Sequence, residues 1–109
     1  MIGIGKVLRT RDVRREAEAT ARAKAALDAL EHAEMPAWLV GSLARGTFRQ
    51  HSDIDILIDV APARRTAALR ICLAALGGFP SSIVFKADVP DHALPHFLAG
   101  AADEPSLRG

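Results

Sequence analysis

The chain has 109 residues, half of them apolar, which suits one domain with a modest core that a partner subunit could share. A net charge of +1 gives no case for nonspecific binding to nucleic acid or to a membrane surface. The single cysteine, Cys72, excludes an internal disulfide and fits a reducing cytoplasm, and no apolar run approaches the length of a membrane span or forms a signal-peptide core.

In chain order, residues 1–9 (MIGIGKVLR) are short and broken by glycine, and both an edge strand and a mobile end fit them. Gly3-Ile4-Gly5 follows no strand and lacks a third glycine, so it makes a poor phosphate loop. Residues 10–34 read as a helix: Thr10 can cap it, Asp12 suits its first turn, and Val13, Ala17, Ala21, Leu27 and Leu30 recur at near-helical spacing. Glu18 and Arg22 form an i,i+4 pair in the favourable order. The dense charges Arg14, Arg15, Glu16 and Arg22 predict a solvated face, with a partner-binding face as the alternative. Pro36 ends the helix, and residues 37–41 make a short buried strand whose Trp38 is read as core rather than as a base-stacking platform.

The next stretch carries the chemistry. Gly41-Ser42 follows the apolar run Trp38-Leu39-Val40, and a turn there lets backbone N–H groups and a hydroxyl approach a phosphate closely. A short helix starting near Ser42 would add a favourable dipole, and Arg45, one turn further on, can pair with a phosphate oxygen. Arg49 and His51 follow in the loop, His51 as a polar loop residue. Residues 53–60 form a strand, and its period of two puts Asp53 and Asp55 on one face and Ile54, Ile56 and Ile58 on the other. Two adjacent carboxylates raise each other's pKa unless a cation sits between them, and a hard ion such as Mg²⁺, with water and phosphate completing its shell, suits the pair. A phosphate cradle beside paired carboxylates points to metal-assisted phosphoryl or nucleotidyl transfer. The plainer account is a turn into an edge strand with solvated acids, but aspartate is disfavoured in strands and two at the start of an Ile-rich one need a reason.

Pro62 opens the next helix, Leu69, Cys72, Leu73 and Leu76 give it an apolar stripe, and Gly77-Gly78 stop it. Cys72 on that stripe is a small core residue with no activating neighbour. Residues 81–87 make a third strand with Ser82, Val84 and Lys86 on one face and Ile83 and Phe85 on the other. Asp91 can cap a last short helix containing Leu94, Phe97 and Leu98, its length limited by Pro95. His92 and His96 have a possible metal spacing, but no further ligand type clusters with them, so both read as surface histidines. Residues 101–109 read as a flexible tail on a core spanning about 10–100. The order helix, strand, loop, strand, helix, strand implies a single α/β (α+β) domain over 1–109, a small mixed sheet flanked by helices.

Gly41-Ser42, ten intervening residues and Asp53-Ile54-Asp55 resemble the signature of the polymerase-β nucleotidyltransferase superfamily. GSLARG followed by SDIDILID is similar to its minimal nucleotidyltransferase (MNT) branch, sharply over about residues 37–60 and more loosely elsewhere. The resemblance implies a nucleotidyltransferase palm in which Asp53 and Asp55 are catalytic and hold Mg²⁺, while Gly41, Ser42 and Arg45 bind the nucleotide. It implies transfer of AMP from ATP to a hydroxyl. Small stand-alone proteins of this type are often antitoxins paired with a HEPN ribonuclease toxin that they adenylylate on tyrosine, so a HEPN-type toxin is the implied partner.

Superfamily members usually carry a third acid on the strand after the connecting helix. Residues 81–87 contain none: Ser82 stands at that place, and Asp88 shares its phase near the strand's end. The loss weakens the hold on Mg²⁺ and leaves the nucleophile without a base, which typically costs about a hundred- to ten-thousandfold in rate. A catalytically degenerate module that binds and masks a partner protein without turnover is therefore the second reading, and an enzyme acting on a drug hydroxyl the third. The oligomeric state stays open at this level.

Overall fold

A computed structural model of the chain describes residues 4–49 and 52–103, with side chains described from Val13 onward. A long helix α1 (Ile4–His32) leads into β1 (Ala37–Val40), the single-turn helix α2 (Gly41–Arg45) and β2 (Ile54–Ile58). A 3₁₀ turn (Pro62–Arg64) precedes α3 (Arg65–Leu76), then come β3 (Ser81–Phe85), a second 3₁₀ turn (Lys86–Asp88) and α4 (Leu94–Leu98).

The sheet has the order β1-β2-β3, with β2 in the centre. β1 runs antiparallel to β2 with Val40 opposite Asp55, and β3 runs parallel to it with Ser82 opposite Asp55. The parallel pair needs a crossover, which α3 supplies. The alternation of β2 sorts the two faces. Ile54, Ile56 and Ile58 are fully buried against α1 and α3, among Ala23, Leu30, Ala68, Cys72 and Leu76. The opposite face carries Asp55 and then Leu57, which packs with Val40 and Val89 beneath Leu94 and Phe97 of α4. The result is the small mixed α+β sheet that the element order implies.

Several local expectations are corrected. α1 begins at Ile4, so residues 4–9 are helical rather than an edge strand or loose end, and Thr10 and Asp12 lie inside the helix instead of capping it. Its buried stripe is Ala19, Ala23, Ala26, Leu27 and Leu30, whereas Val13, Ala17 and Ala21 are exposed. Alanine occurs all round this helix and marks no face by itself, while its small side chain lets α1 lie close against α3 and the sheet. On α3, Leu73 faces solvent and Ala68 takes its place in the core. β3 stops at Phe85, two residues early, because Lys86–Asp88 turn into the 3₁₀ helix. Ala93, not Asp91, precedes the first residue of α4, and no side chain caps it. Of the expected tail, Ala102 exchanges both backbone hydrogen bonds with Leu39 on the outer edge of β1, at 2.6 and 2.9 Å. Residues 104–109 lie outside the described ones.

Arginines on the helices tie element ends together. Arg22 of α1 donates from Nη1 to the Leu76 carbonyl at 3.0 Å, at the terminus of α3, while also pairing with Glu18. Gly77 follows with φ 58°, and a Cβ built there would strike the Arg22 guanidinium, so the helix stop and this contact require the same residue.

The observed phase of α1 is tested by adding volume on its two sides. Ala23→Leu should cost about 1–3 kcal/mol by overpacking against α3. Ala21→Leu, on the exposed side, should stay within about 0.5 kcal/mol, both read by urea unfolding.

Candidate active site

The site is built where β1 ends and β2 begins. The antiparallel register sets Val40 beside Asp55, and the chain then turns at Gly41 into α2. Gly41 has φ 77°, and a Cβ built on it would overlap the Asp55 carboxylate. Both the backbone conformation and the lack of space therefore demand glycine. Leu43 is buried in the main core and anchors the short helix, while the Thr47 amide and hydroxyl donate to the Ser42 carbonyl at 2.9 and 3.4 Å. These contacts hold the Gly41-Ser42 turn against the first turn of β2.

The approach to Asp53 is held from the other side by Arg15, which the sequence placed on a solvated face. Arg15 Nη2 donates to the Ser52 carbonyl at 3.3 Å. Its guanidinium lies 4.6 Å from the Phe79 ring centroid and 5.9 Å from that of Phe48. Ser52 closes a turn on Arg49, donating its amide to the Arg49 carbonyl and accepting the Arg49 amide on its hydroxyl, each at 3.0 Å. On the far side of Asp53, the Ile54 amide donates to the Pro80 carbonyl at 2.9 Å. The residues flanking Asp53 are thus fixed in space while its own side chain is exposed.

A cavity of about 350 Å³ opens beside Asp55. Gly41 and Arg45 form one wall, Ser82 and Val84 of β3 another, and His96 and Phe97 of α4 a third. Burial raises the Asp55 pKa above the usual carboxylate value, the charge of Asp53 adds to the rise, and Arg45 opposes it. Among the described residues, Ser42 and Asp53 do not line the cavity; Ser42 follows Gly41, which does, and the charge of Asp53 acts on Asp55, which does. His51 lies outside the described residues.

Asp88 is committed elsewhere. Arg65 grips it with two hydrogen bonds of 3.0 and 3.2 Å and stacks over the Phe85 ring at 4.8 Å. Phe85 pairs with Ile58, three residues along β2 from Asp55, or ~10 Å at strand rise. Ser82, the parallel partner of Asp55, occupies the corresponding position, and the described residues bring no three His, Cys, Asp or Glu together as a metal cage.

The donor set nonetheless fits one hard divalent cation. Asp53 lies directly before β2 and its charge acts on the half-buried Asp55, a repulsion that a positive charge between the two would relieve. Two carboxylates leave the remaining coordination positions to phosphate and water, which is how Mg²⁺ is commonly held at nucleotide sites. His92 and His96, both read as surface residues, part company: His92 sits in the turn before α4, and His96 enters the cavity wall. No spacing signal could have found His96 or Arg15, because each reaches the site from an element distant in sequence.

Arg15→Ala should destabilise the domain by about 2–3 kcal/mol, the worth of a desolvated cation–π contact plus a hydrogen bond. Arg15→Lys should recover only part of this, since an ammonium cannot both stack and reach the Ser52 carbonyl. Amide exchange at Ile54 is expected to accelerate in both variants.

A family model described as a nucleotidyltransferase domain matches residues 23–96, from the middle of α1 to His96. No curated protein matches the chain. The matched span is well over half the chain and contains the Gly41 turn, both aspartates and Ser82, on a three-stranded mixed sheet of the polymerase-β-like kind. The chain therefore belongs to the nucleotidyltransferase domain family, transferases that move a nucleotidyl group and generally use a divalent metal ion.

Proposed function

We propose that this chain is a Mg²⁺-dependent adenylyltransferase that moves AMP from ATP to a hydroxyl on a partner protein, acting in the cytoplasm as an MNT-type antitoxin on a HEPN ribonuclease toxin. The observation that carries the catalytic part is the packing of Gly41 onto Asp55. It brings the backbone that would receive phosphate and the carboxylate that would hold the metal into direct contact. Asp53 and Asp55 would hold Mg²⁺, which when bound screens the phosphate charge and polarises the α-phosphate. The Gly41 and Ser42 amides and the Ser42 hydroxyl receive phosphate oxygens, and the Arg45 guanidinium adds positive charge on the same side. Val84 and Phe97 give the other side of the cavity an apolar lining. The partner assignment rests on the likeness of GSLARG and SDIDILID to the MNT branch.

One observation favours the second reading, a module that binds and masks its partner without turnover. The third acid is replaced by Ser82, and the nearest substitute, Asp88, is held by Arg65.

Calorimetric titration of ATP with and without Mg²⁺ tests the site. Affinity should require Mg²⁺ and fall at least tenfold, or ~1.4 kcal/mol, in Asp53→Asn and in Asp55→Asn. No Mg²⁺-dependent binding in the native chain would sink the enzyme reading. Incubation with a HEPN toxin and labelled ATP should place AMP on a toxin hydroxyl; a complex that forms without label supports masking instead.

The raised pKa of Asp55 gives a further expectation. Its ionisation costs folding free energy that is absent below the ordinary carboxylate pKa and fully present above the raised one. At neutral pH, Asp55→Asn should therefore raise the melting temperature of the metal-free protein while lowering metal affinity, a combination that thermal denaturation with and without Mg²⁺ would reveal.

A further inference from the structure

We infer that His96 is the proton acceptor that takes over the general-base role of the missing third carboxylate, an inference that rests on the transfer reaction proposed above. The case comes from position. The parallel partner of Asp55 is a serine, which cannot take up a proton at neutral pH, and Asp88, in the turn beyond the end of β3, is held by Arg65. Among the described residues that line the cavity, the titratable or charged groups are Asp55 from β2, Arg45 from α2 and His96 from α4. The Asp55 carboxylate is assigned to the metal and the Arg45 guanidinium offers donors but no acceptor, so His96 is the remaining one of these groups able to receive a proton.

The placement of His96 is built into the fold. Leu94 and Phe97 pack α4 onto Val40, Leu57 and Val89, on the same face of the sheet as Asp55. Past α4, Gly100 approaches the Arg45 side chain, and Ala102 pairs with Leu39 at the edge of β1. α4 is thus held at both ends, with His96 and Asp55 in different walls of one cavity. That space leaves room for an acceptor hydroxyl between the imidazole and the metal carboxylate.

The step balances without an added reactant. The acceptor O–H bond breaks and its proton passes to a ring nitrogen of His96. The freed oxygen pair forms the bond to the α-phosphorus of ATP. The bond from that phosphorus to the bridging oxygen breaks, and pyrophosphate leaves with the electron pair. His96 is exposed to solvent, so the imidazolium can return its proton to water.

The experiment uses the full chain, Mg²⁺ and ATP, with water as the acceptor, and reads AMP and pyrophosphate release. Binding of Mg²⁺ with the non-cleavable α,β-methylene analogue of ATP is measured in parallel. His96→Ala should keep analogue affinity within about twofold and lose about a hundred- to ten-thousandfold in turnover at saturating ATP. Added imidazole should restore part of the lost rate and leave the native rate unchanged. Unchanged turnover in His96→Ala overturns the inference, as does a loss that imidazole does not restore, because that outcome makes His96 a contact residue. A native chain that binds the analogue but releases no AMP removes the base role while leaving the nucleotide site standing. A native chain that binds no nucleotide removes the transfer reading and the role of His96 with it.

Discussion

The close approach of Gly41 to Asp55 is the constraint on which the site depends. The contact exists because β1 pairs antiparallel with β2 in a register that brings Val40 level with Asp55, and because the chain reverses immediately afterwards with a positive φ. A one-residue slip of that register would move Asp55 to the core face and an isoleucine to the cavity. The slip is blocked from the opposite face, where Ile54, Ile56 and Ile58 are wholly buried against α1 and α3. The apolar half of β2 thus fixes where its acidic half points. The cost is a half-buried carboxylate beside another, and the raised Asp55 pKa records it.

Around this contact the loops are held largely by guanidinium groups. Arg15 fixes the segment before Asp53, Arg22 the end of α3, and Arg65 the turn after β3. The three are not equal. Arg65–Asp88 involves an exposed carboxylate, and such a pair contributes little to stability in water. Arg15 lies against two aromatic rings with its Nε buried and unbonded among the described residues, so its removal leaves a packing defect as well as a broken hydrogen bond. In a small domain with a modest core, these ties substitute for the apolar burial that loops cannot supply. They also divide the acids by function: the cavity leaves Asp55 open, whereas Asp88 is occupied.

The features legible in the sequence were those with a short period or a forced backbone. Period-two alternation assigned both faces of β2, glycines marked the turn into α2 and the stop of α3, and the strand phase set Ser82 opposite Asp55. The phase of α1 was not legible, because Val13, Ala17 and Ala21 match helical spacing as well as the alanines that are actually buried. Helix propensity is equally high on both sides, and the choice is made by which side fits the sheet. Capture of Asp88 was hidden for another reason. Arg65 is 23 residues away, and a pairing of that separation depends on the crossover geometry of α3. The largest omission was the return of α4 to the face of the sheet that carries Asp55, which no local pattern encodes.

That return gives the domain its asymmetry. The side that would receive the triphosphate is local, made from Gly41, Ser42 and Arg45. The opposite side is assembled from β3 and α4, far along the chain, with Ser82, His96 and Phe97 in the wall. Interactions shared by substrate and transition state set affinity, whereas those realised only during transfer set rate. Changes confined to the β3–α4 side can therefore alter proton transfer and acceptor fit while the nucleotide-facing turn stays intact. The two sides meet at Asp55, which touches Gly41 on one and borders the α4 cavity on the other. A domain divided in this way can retain tight nucleotide binding across a wide range of transfer rates, because the energies governing the two reside in different elements.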